Sequence, residues 1–417
     1  MNLMKFIVAL FYNKQINFLF RILLINMLKS LNKSYFSAMM VINRILYRMG
    51  EYMMIVSTNG NNEITKLLND WYLEIRSRRI GNAHQLKEII DTKIHSIEED
   101  QNLLLYYSLL DFRYQFVIDN LSVSKSSFDK VEAFDMPTDN FLAYYYHFFK
   151  GIHASTIGEY QIAKESYENA EKLLDCIPDE LEKAEFYYKV GAFHYDIYQG
   201  LLSYQKVSEA REIFAQHAGY EINVAFCDNL IGLACTHLRE WELAEEYFTK
   251  AMDMFQKIDE EQFILMVRQN LGLMYATQNL SPLAIRYLSE VNQKMPNNYK
   301  ALFIEAREHM KEGNHSVAKD LIAKGHSVCE EVENIEYLHH FKILDTMNGD
   351  FPAEALERTV LEGVSYFKEQ ELFEYIKEYE ECLATAFYKE NNHVKASHYF
   401  YSCSQAGKKA FEKEALK

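Results

Sequence analysis

A single glutamine stands where a run of acidic residues meets an apolar and aromatic segment. Residues 98–112 have the sequence EEDQNLLLYYSLLDF. In a helix, steps of three, four and four residues lead from Gln101 to Leu104, Ser108 and Phe112, which gives an apolar face with one small hydroxyl. A glutamine at the head of such a face is a capping residue, a solvated edge residue or a group that takes part in chemistry. The residues alone leave these three interpretations open.

The common sequence patterns for phosphate loops and metal sites are absent. There is no HExxH, P-loop or GxGxxG motif, and the six cysteines include no CxxC pair. The adjacent His339 and His340 are poorly spaced for one helical face, so we interpret them as surface residues. The sequence therefore predicts no metal site and no cofactor in this chain, and reduced cysteines typical of a cytoplasmic protein.

The composition favours helices joined by short loops. The chain has 417 residues, of which 49% are hydrophobic, but only 15 are Gly and 5 are Pro. Strand-rich folds need many turns and therefore more of both residues. The 27 Phe and 30 Tyr supply ample material for packing between helices.

The charge is unevenly distributed. The chain carries −16, yet residues 1–50 hold seven basic residues and no acidic ones, so the remainder carries −23. A body this acidic repels the phosphates of nucleic acids, which argues against nucleic-acid binding and favours basic or metal-bearing partners.

The first fifty residues are apolar and basic but do not form a membrane span. Their longest uninterrupted apolar run is FIVALFY, far short of the ~20 residues that a span requires. Because the composition changes abruptly at Met53 and Met54, we expect residues 1–52 to be an extension from an upstream start codon without a defined fold. A basic amphipathic surface anchor is the alternative.

An internal repeat is the strongest structural signal. A glycine is followed 12, 16 and 19 residues later by a small, a large and a small residue, and successive glycines are 40, 41 and 40 residues apart. This spacing exceeds the 34-residue tetratricopeptide (TPR) period, so each unit needs longer helices or loops. We expect the small residues to let paired helices approach and the large residue to fill the groove between pairs. The four sets are Gly151, Ala163, Tyr167, Ala170; Gly191, Ser203, Val207, Ala210; Gly232, Ala244, Phe248, Ala251; and Gly272, Ala284, Leu288, Val291.

The repeat predicts an all-α protein with a TPR-like α-solenoid over residues 138–417. Upstream, residues 55–133 lack the period and contain three amphipathic segments, 63–79, 82–100 and 101–121, with Asn82 as the expected N-cap of the second. Their short connections favour an antiparallel three-helix bundle. Residues 120–140 then form the link to the solenoid.

Four stretches resemble the Rap family of bacterial response-regulator phosphatases. They are DWY (70–72), EEDQNLLLYYSLLDFRYQ (98–115), YYYHFFKG (144–151) and DELEKAEFYYKV (179–190). The resemblance covers residues 55–415 in the same order, with a short link at 120–140. It implies an N-terminal bundle that binds a phosphorylated receiver domain and a solenoid that binds a short inhibitory signalling peptide.

The resemblance also assigns roles to residues. It places the family's catalytic glutamine at Gln101, with Asp100, Leu104 and Phe112 at positions that dock the receiver. A receiver already holds Mg²⁺ and basic residues, so hydrolysis of its aspartyl phosphate needs only a water oriented in line with the P–O bond. A side-chain amide can accept from that water and donate to a phosphoryl oxygen.

The peptide site implied by the resemblance departs from the family pattern. Aligning residues 232–244 puts His237 where a peptide-gripping aspartate often sits, whereas Asn270 matches a family asparagine that contacts the peptide. Asp228 and Asn229 lie on the same predicted helix as His237 and are further candidates.

Two other functions remain open at this point. The first is a non-catalytic antagonist that sequesters the DNA-binding domain of a response regulator. The second is a peptide-responsive transcription regulator, which the acidic body and the lack of a recognition helix in residues 62–133 disfavour. Gln101 distinguishes the phosphatase from both.

Overall fold

A computed structural model of the chain describes residues 62–94, 100–349 and 351–414, which lie in one compact unit. The predictions for residues 1–52, and for the acidic residues Glu98 and Glu99 before Gln101, lie outside the described residues.

The regular secondary structure of the described residues is entirely helical, which confirms the predicted fold class. Three helices form the N-terminal bundle and seven helix pairs form the TPR-like solenoid. The bundle helices are α1 (Asn62–Arg76), α2 (Ile80–Ile94) and α3 (Gln101–Ile118). A 3₁₀ turn (Lys125–Phe128) and the short α4 (Asp129–Glu132) follow. The pairs are α5 (Asn140–Thr156) with α6 (Tyr160–Leu173), α7 (Glu180–Asp196) with α8 (Gly200–Ala215), α9 (Glu221–His237) with α10 (Trp241–Lys257), α11 (Glu261–Thr277) with α12 (Ser281–Lys294), α13 (Tyr299–Lys311) with α14 (His315–Glu331), α15 (Ile335–Asn348) with α16 (Ala353–Glu369), and α17 (Phe373–Lys389) with α18 (His393–Glu414). None of the helices in the described part of the chain is long and apolar enough to cross a membrane.

The start of α2 differs from the prediction. Asn82 is not its N-cap, because the helix begins two residues earlier, at Ile80. The turn before it is made by Arg78, which adopts φ +60°, so Gly81 falls inside the first helical turn. The Asn82 side chain instead donates to Glu74 on α1, at 3.0 Å.

Glycine and its partner sixteen residues later pack directly on each other. At Gly232 in α9, an added Cβ would lie 2.7 Å from the ring of Phe248 in α10, and Gly151 and Gly272 face Tyr167 and Leu288 in the same way. The large residue therefore fills the space over the glycine inside a pair, rather than the groove between neighbouring pairs that we expected. Most paired helices have 16 or 17 residues, which accounts for the long repeat.

Non-glycine residues make most of the tight turns. Eight of them, including Arg78, Tyr198 and Arg239, have positive φ values near +60° in the described residues. Such a conformation is uncommon for residues with a side chain beyond Cβ. Its frequent use here is the physical reason why a protein with so many turns contains so little glycine.

Three clusters of buried hydrophobic residues form the core. The first joins the bundle and the first helix pairs to the last ones, since it contains Trp71, Tyr160 and Phe367 together. The second and third lie in the middle of the solenoid. Residues from opposite ends of the sequence thus share one core.

Candidate functional site

Gln101 is the first residue of α3 and is exposed. The preceding residue, Asp100, is the N-cap, and its carboxylate accepts a hydrogen bond from the backbone N–H of Leu103 at 3.1 Å. An aspartate here satisfies one of the free N–H groups of the first turn, and its negative charge interacts favourably with the positive end of the helix dipole. The cap fixes the backbone that carries Gln101. Asp100, which was predicted to dock the receiver, therefore also has a structural role as the N-cap of α3.

The apolar face below Gln101 is only partly accessible. Leu104 and Ser108 are half-buried, and the Ser108 hydroxyl donates to the Leu104 carbonyl oxygen at 2.9 Å. Phe112, the other predicted docking residue, is only 5% exposed. Its ring packs edge-on against Phe128, with centroids 5.0 Å apart. In this conformation a receiver could touch Phe112 only after the segment that carries Phe128 had moved.

A buried charge cluster ties α3 to the solenoid. Arg113 of α3 and Arg78 both contact Glu185 of α7, and all three are 7% exposed or less. Burial raises the pKa of the Glu185 carboxyl, but the two arginines outweigh it and hold that pKa below its usual value. Beside them, Arg76 binds Asp179 at 2.7 Å. Sequence reasoning missed this cluster because each arginine lies more than 70 residues from the carboxylate that it contacts.

The structure brings two of the predicted peptide-binding residues together. Asn270 of α11 donates to Asn229 of α9 across the boundary between two pairs, at 2.9 Å. Both are about 95% buried. Side-chain amides at this position are the kind of group that binds a peptide backbone in a solenoid groove.

The other two predicted peptide-binding residues lie elsewhere. Asp228 pairs with Arg211 of α8 at 2.6 Å, and burial raises the pKa of its carboxyl. His237 is sandwiched between the rings of Tyr195 and Tyr198, at centroid distances of 4.2 and 4.7 Å. Burial lowers the pKa of His237 to about 4, so the imidazole is neutral. Neither residue joins the asparagine pair, and His237 packs as an aromatic ring.

Contacts across the solenoid connect its first helix pair to its sixth. The Tyr160 hydroxyl at the start of α6 donates to Glu336 of α15 at 2.6 Å, and the Tyr366 hydroxyl donates to the Gly158 carbonyl oxygen at 2.7 Å. His340 is 1% exposed and packs against Tyr375 of α17. The interpretation of His340 as a surface residue is therefore wrong: Phe303 of the preceding pair and Tyr375 of the following pair cover its ring, which a local pattern does not reveal.

The described residues contain no group of three or more His, Cys, Asp or Glu side chains that could hold a metal ion. The part of the chain around Gln101 instead offers the exposed side-chain amides of Gln101 and Asn102 and an apolar surface, with a buried ion cluster on the same helix.

Comparisons with known proteins identify the family. A family model described as response regulator aspartate phosphatase H, N terminal, matches residues 58–119, which include Gln101. Response regulator aspartate phosphatase I of Bacillus subtilis (strain 168) is 26% identical over 366 residues, covering 85% of this chain and 93% of the relative. Over most of its length the chain is thus similar to proteins of the Rap family. Regulatory protein RapF of the same organism is 27% identical, covering 83% of this chain and 94% of its own length.

Solved structures share the Rap fold. A Rap protein complexed with competence and sporulation factor matches with a TM-score of 0.72 and 24% identity, covering 84% of this chain and 99% of the other. NprR in complex with its cognate peptide NprX matches with a TM-score of 0.65 and 15% identity, covering 82% of this chain and 99% of the other. Both comparisons support the bundle-plus-solenoid architecture.

Proposed function

We propose that this Rap protein removes phosphate from the aspartate of a response-regulator receiver domain, with Gln101 as the catalytic residue. The observation that carries the proposal is an exposed glutamine at the first position of a capped helix, inside the segment matched by the phosphatase family model. The relatives that match over more than 90% of their own length include response regulator aspartate phosphatases I and A.

The proposed chemistry needs little from this chain. The receiver supplies its own Mg²⁺, which neutralises charge on the phosphoryl oxygens. Gln101 accepts a hydrogen bond from a water and donates one to a phosphoryl oxygen, so that the water lies in line with the bond to be broken. Leu104 docks the apolar surface beside the receiver's pocket. The Asp100 cap holds the backbone of Gln101 in a single pose.

We further propose that a short signalling peptide binds in the solenoid and inhibits the phosphatase, and that the protein acts in the cytoplasm. The buried Asn229–Asn270 pair supports a site for a peptide backbone. The peptide complexes named for related structures support a peptide as ligand class. A peptide that spans several helix pairs would favour one curvature of the solenoid and, through the Arg113–Glu185 contact, one pose of α3.

The test compares phosphate release from a labelled, phosphorylated sporulation receiver by the wild-type chain and by Gln101→Ala. The matched control is Asn102→Ala, which removes the exposed amide next in sequence on the same helical turn. We expect Gln101→Ala to abolish release while receiver binding persists, and Asn102→Ala to keep the wild-type rate. Equal release by wild type and Gln101→Ala would refute the role of Gln101.

The same assay separates the phosphatase from a sequestering antagonist. An antagonist would release no phosphate from any receiver in a panel, yet would bind an isolated response-regulator DNA-binding domain. Binding is therefore measured separately for the receiver domain and for the DNA-binding domain of each regulator.

A further inference from the structure

The last described helix, α18, is apolar on two faces. Its inner face packs on the rest of the solenoid through small residues and Tyr399. Its outer face and the end of α17 carry five large apolar side chains that are between 46% and 83% exposed: Tyr388, Val394, Phe400, Tyr401 and Phe411. These five residues are called the α18 face. Terminal repeats of solenoids normally present a polar outer face, and a contiguous exposed apolar patch marks a binding surface.

The α18 face is a continuous stripe. Val394 and Tyr401 are seven residues apart, which is two helical turns, and Phe400 and Phe411 are eleven apart, which is three turns. The ring of Tyr388 continues the stripe onto α17, since it contacts the ring of His393 at a centroid distance of 5.3 Å. From residue 394 to residue 411 the stripe is about 25 Å long at 1.5 Å per residue.

Both ends of α18 are held in place. Near its start, Lys395 donates to Glu357 of α16 at 2.6 Å. Near its end, the side-chain amide of Gln199 donates to the Lys413 carbonyl oxygen at 2.8 Å, and Lys413 Nζ donates to the Glu371 carbonyl oxygen at 2.9 Å. A partner would therefore meet a helix that is already ordered, which lowers the entropic cost of binding.

The stripe is complementary to itself when two copies of α18 pack antiparallel. A two-fold axis midway between Val394 and Phe411 places each of these residues against the other in the second copy. The same axis places Tyr401 against Ser404, so that a large side chain meets a small one at both positions. Lys408, which also lies in the stripe, falls opposite the small Ser397, and its alkyl stem can cross that residue to reach solvent.

Charge and area also fit a second copy of the chain. The exposed His393 and Glu412 lie opposite each other across this axis, and the pair occurs twice in a dimer. Because an aromatic side chain buries about 150–250 Å², the exposed parts of the five residues amount to about 500–600 Å² per copy. Two copies would bury roughly 1,000–1,200 Å² in total, which is the size at which specific interfaces begin.

We propose that the α18 face is the interface of a symmetric homodimer, in which the two copies of α18 pack antiparallel across a two-fold axis. The inference does not depend on the proposed phosphatase activity. An interface of this size with a few aromatic anchors forms a reversible dimer, so its population rises with protein concentration.

The first test is sedimentation velocity of the full chain over a series of concentrations, in which the wild type should change from monomer to dimer. Tyr401→Lys/Phe411→Lys should raise the dissociation constant of the dimer about a hundredfold, because four added ammonium groups would face one another and the two Lys408 side chains. The matched control, Ile162→Lys/Val317→Lys, makes the same change at two residues of α6 and α14 that are 42% and 46% exposed. It should keep the wild-type dissociation constant. Because all four positions are exposed, helical circular dichroism should not change.

The second test concerns the antiparallel register. His393→Glu places two glutamates opposite the two Glu412 side chains, and Glu412→Lys places lysines opposite the histidines, so each single change should weaken the dimer about three- to tenfold. His393→Glu/Glu412→Lys restores opposite charges and should return the dissociation constant to the wild-type value.

Three outcomes would overturn the inference. A wild-type chain that is monomeric at every concentration would show that the α18 face does not bind a second copy. An unchanged dissociation constant in Tyr401→Lys/Phe411→Lys would place the dimer interface elsewhere. Failure of His393→Glu/Glu412→Lys to recover what the single changes lose would refute the antiparallel arrangement.

Discussion

Replacing Gly232 by alanine tests whether the repeat needs glycine because a large side chain packs directly on its Cα atom. The new Cβ would lie 2.7, 2.7 and 3.0 Å from three ring atoms of Phe248, which is completely buried. Carbon atoms in contact normally lie about 3.5–4.0 Å apart. The ring or its helix must therefore move by roughly 1 Å, and a fully buried ring has little room for this.

The expected magnitude follows from two opposing effects. Overpacking of a well-packed core costs about 1–3 kcal/mol. Exchange of glycine for alanine within a helix gains about 1 kcal/mol. Gly232→Ala should therefore lower the free energy of unfolding by about 0–2 kcal/mol. The matched control is Gly407→Ala in α18, where the nearest atom is 3.5 Å away on the flexible Lys377 side chain. At Gly407 only the higher helix propensity of alanine applies, so Gly407→Ala should raise the free energy of unfolding by about 0.5–1 kcal/mol.

The measurement is urea unfolding followed by helical circular dichroism, with a double variant as a further check. The chain itself pairs an alanine with a smaller residue at the same spacing, at Ala306 and Ile322, both buried. Gly232→Ala/Phe248→Ile copies that pair, so the alanine should cost less in the Phe248→Ile background than in wild type. Equal shifts for Gly232→Ala and Gly407→Ala, or no relief in the double variant, would show that ring contact does not determine the glycine.

Two further predictions concern buried charges. Burial raises the pKa of Asp196 to about 6, whereas its value in the unfolded chain is about 3.9, so the protein loses stability as the pH rises between these two values. Asp196→Asn should therefore stabilise the protein by about 2–3 kcal/mol at pH 8 and by almost nothing at pH 3.5. An equal effect at both pH values in urea titrations would contradict this. Arg113→Met should lower the stability by about 3 kcal/mol. Glu185→Met should lower it further, because that change leaves two buried arginines, Arg78 and Arg113, without their carboxylate. The reverse order of urea midpoints would disprove the shared role of Glu185.

The repeat made most of the solenoid predictable. Small residues at fixed spacing allow two adjacent helices to pack closely, which is a local requirement that a sequence pattern can reveal. The glycines that satisfy it are Gly151, Gly191, Gly232 and Gly272. The start of α3 was also accessible from sequence, since Asp100 is a good N-cap and an apolar run follows it. The start of α2 was not, because the turn is made by a positive φ at Arg78 and the helix begins at Ile80, before the expected N-cap Asn82.

The candidate site was less predictable, for a different reason. The helical pattern places Phe112 on a face of α3 but does not show what packs on that face. Phe128, which covers it, comes from a segment that had only been assigned as a link. The same limit applies to His237, whose environment is set by Tyr195 and Tyr198 of another pair. Contacts between residues far apart in sequence decide accessibility, and periodicity reports only near neighbours.

The core shared by the two ends of the chain changes how this repeat protein should unfold. A solenoid whose repeats touch only their neighbours frays from its ends. Here Tyr160 and Tyr366 bond to residues about 200 positions away, and the first hydrophobic cluster includes residues from Ile64 to Ala406. We therefore expect unfolding of the two ends to be coupled, and unfolding of the solenoid to be more cooperative than fraying from free ends.

The same closure sets an order during synthesis. The α15 and α16 partners of Tyr160 and Gly158 leave the ribosome 176 and 208 residues after them. Because chains fold from the N-terminus as they emerge, the first helix pair packs on the bundle and on α7 before these contacts can form. We therefore expect closure between the two ends of the solenoid to be the last step in the folding of the nascent chain.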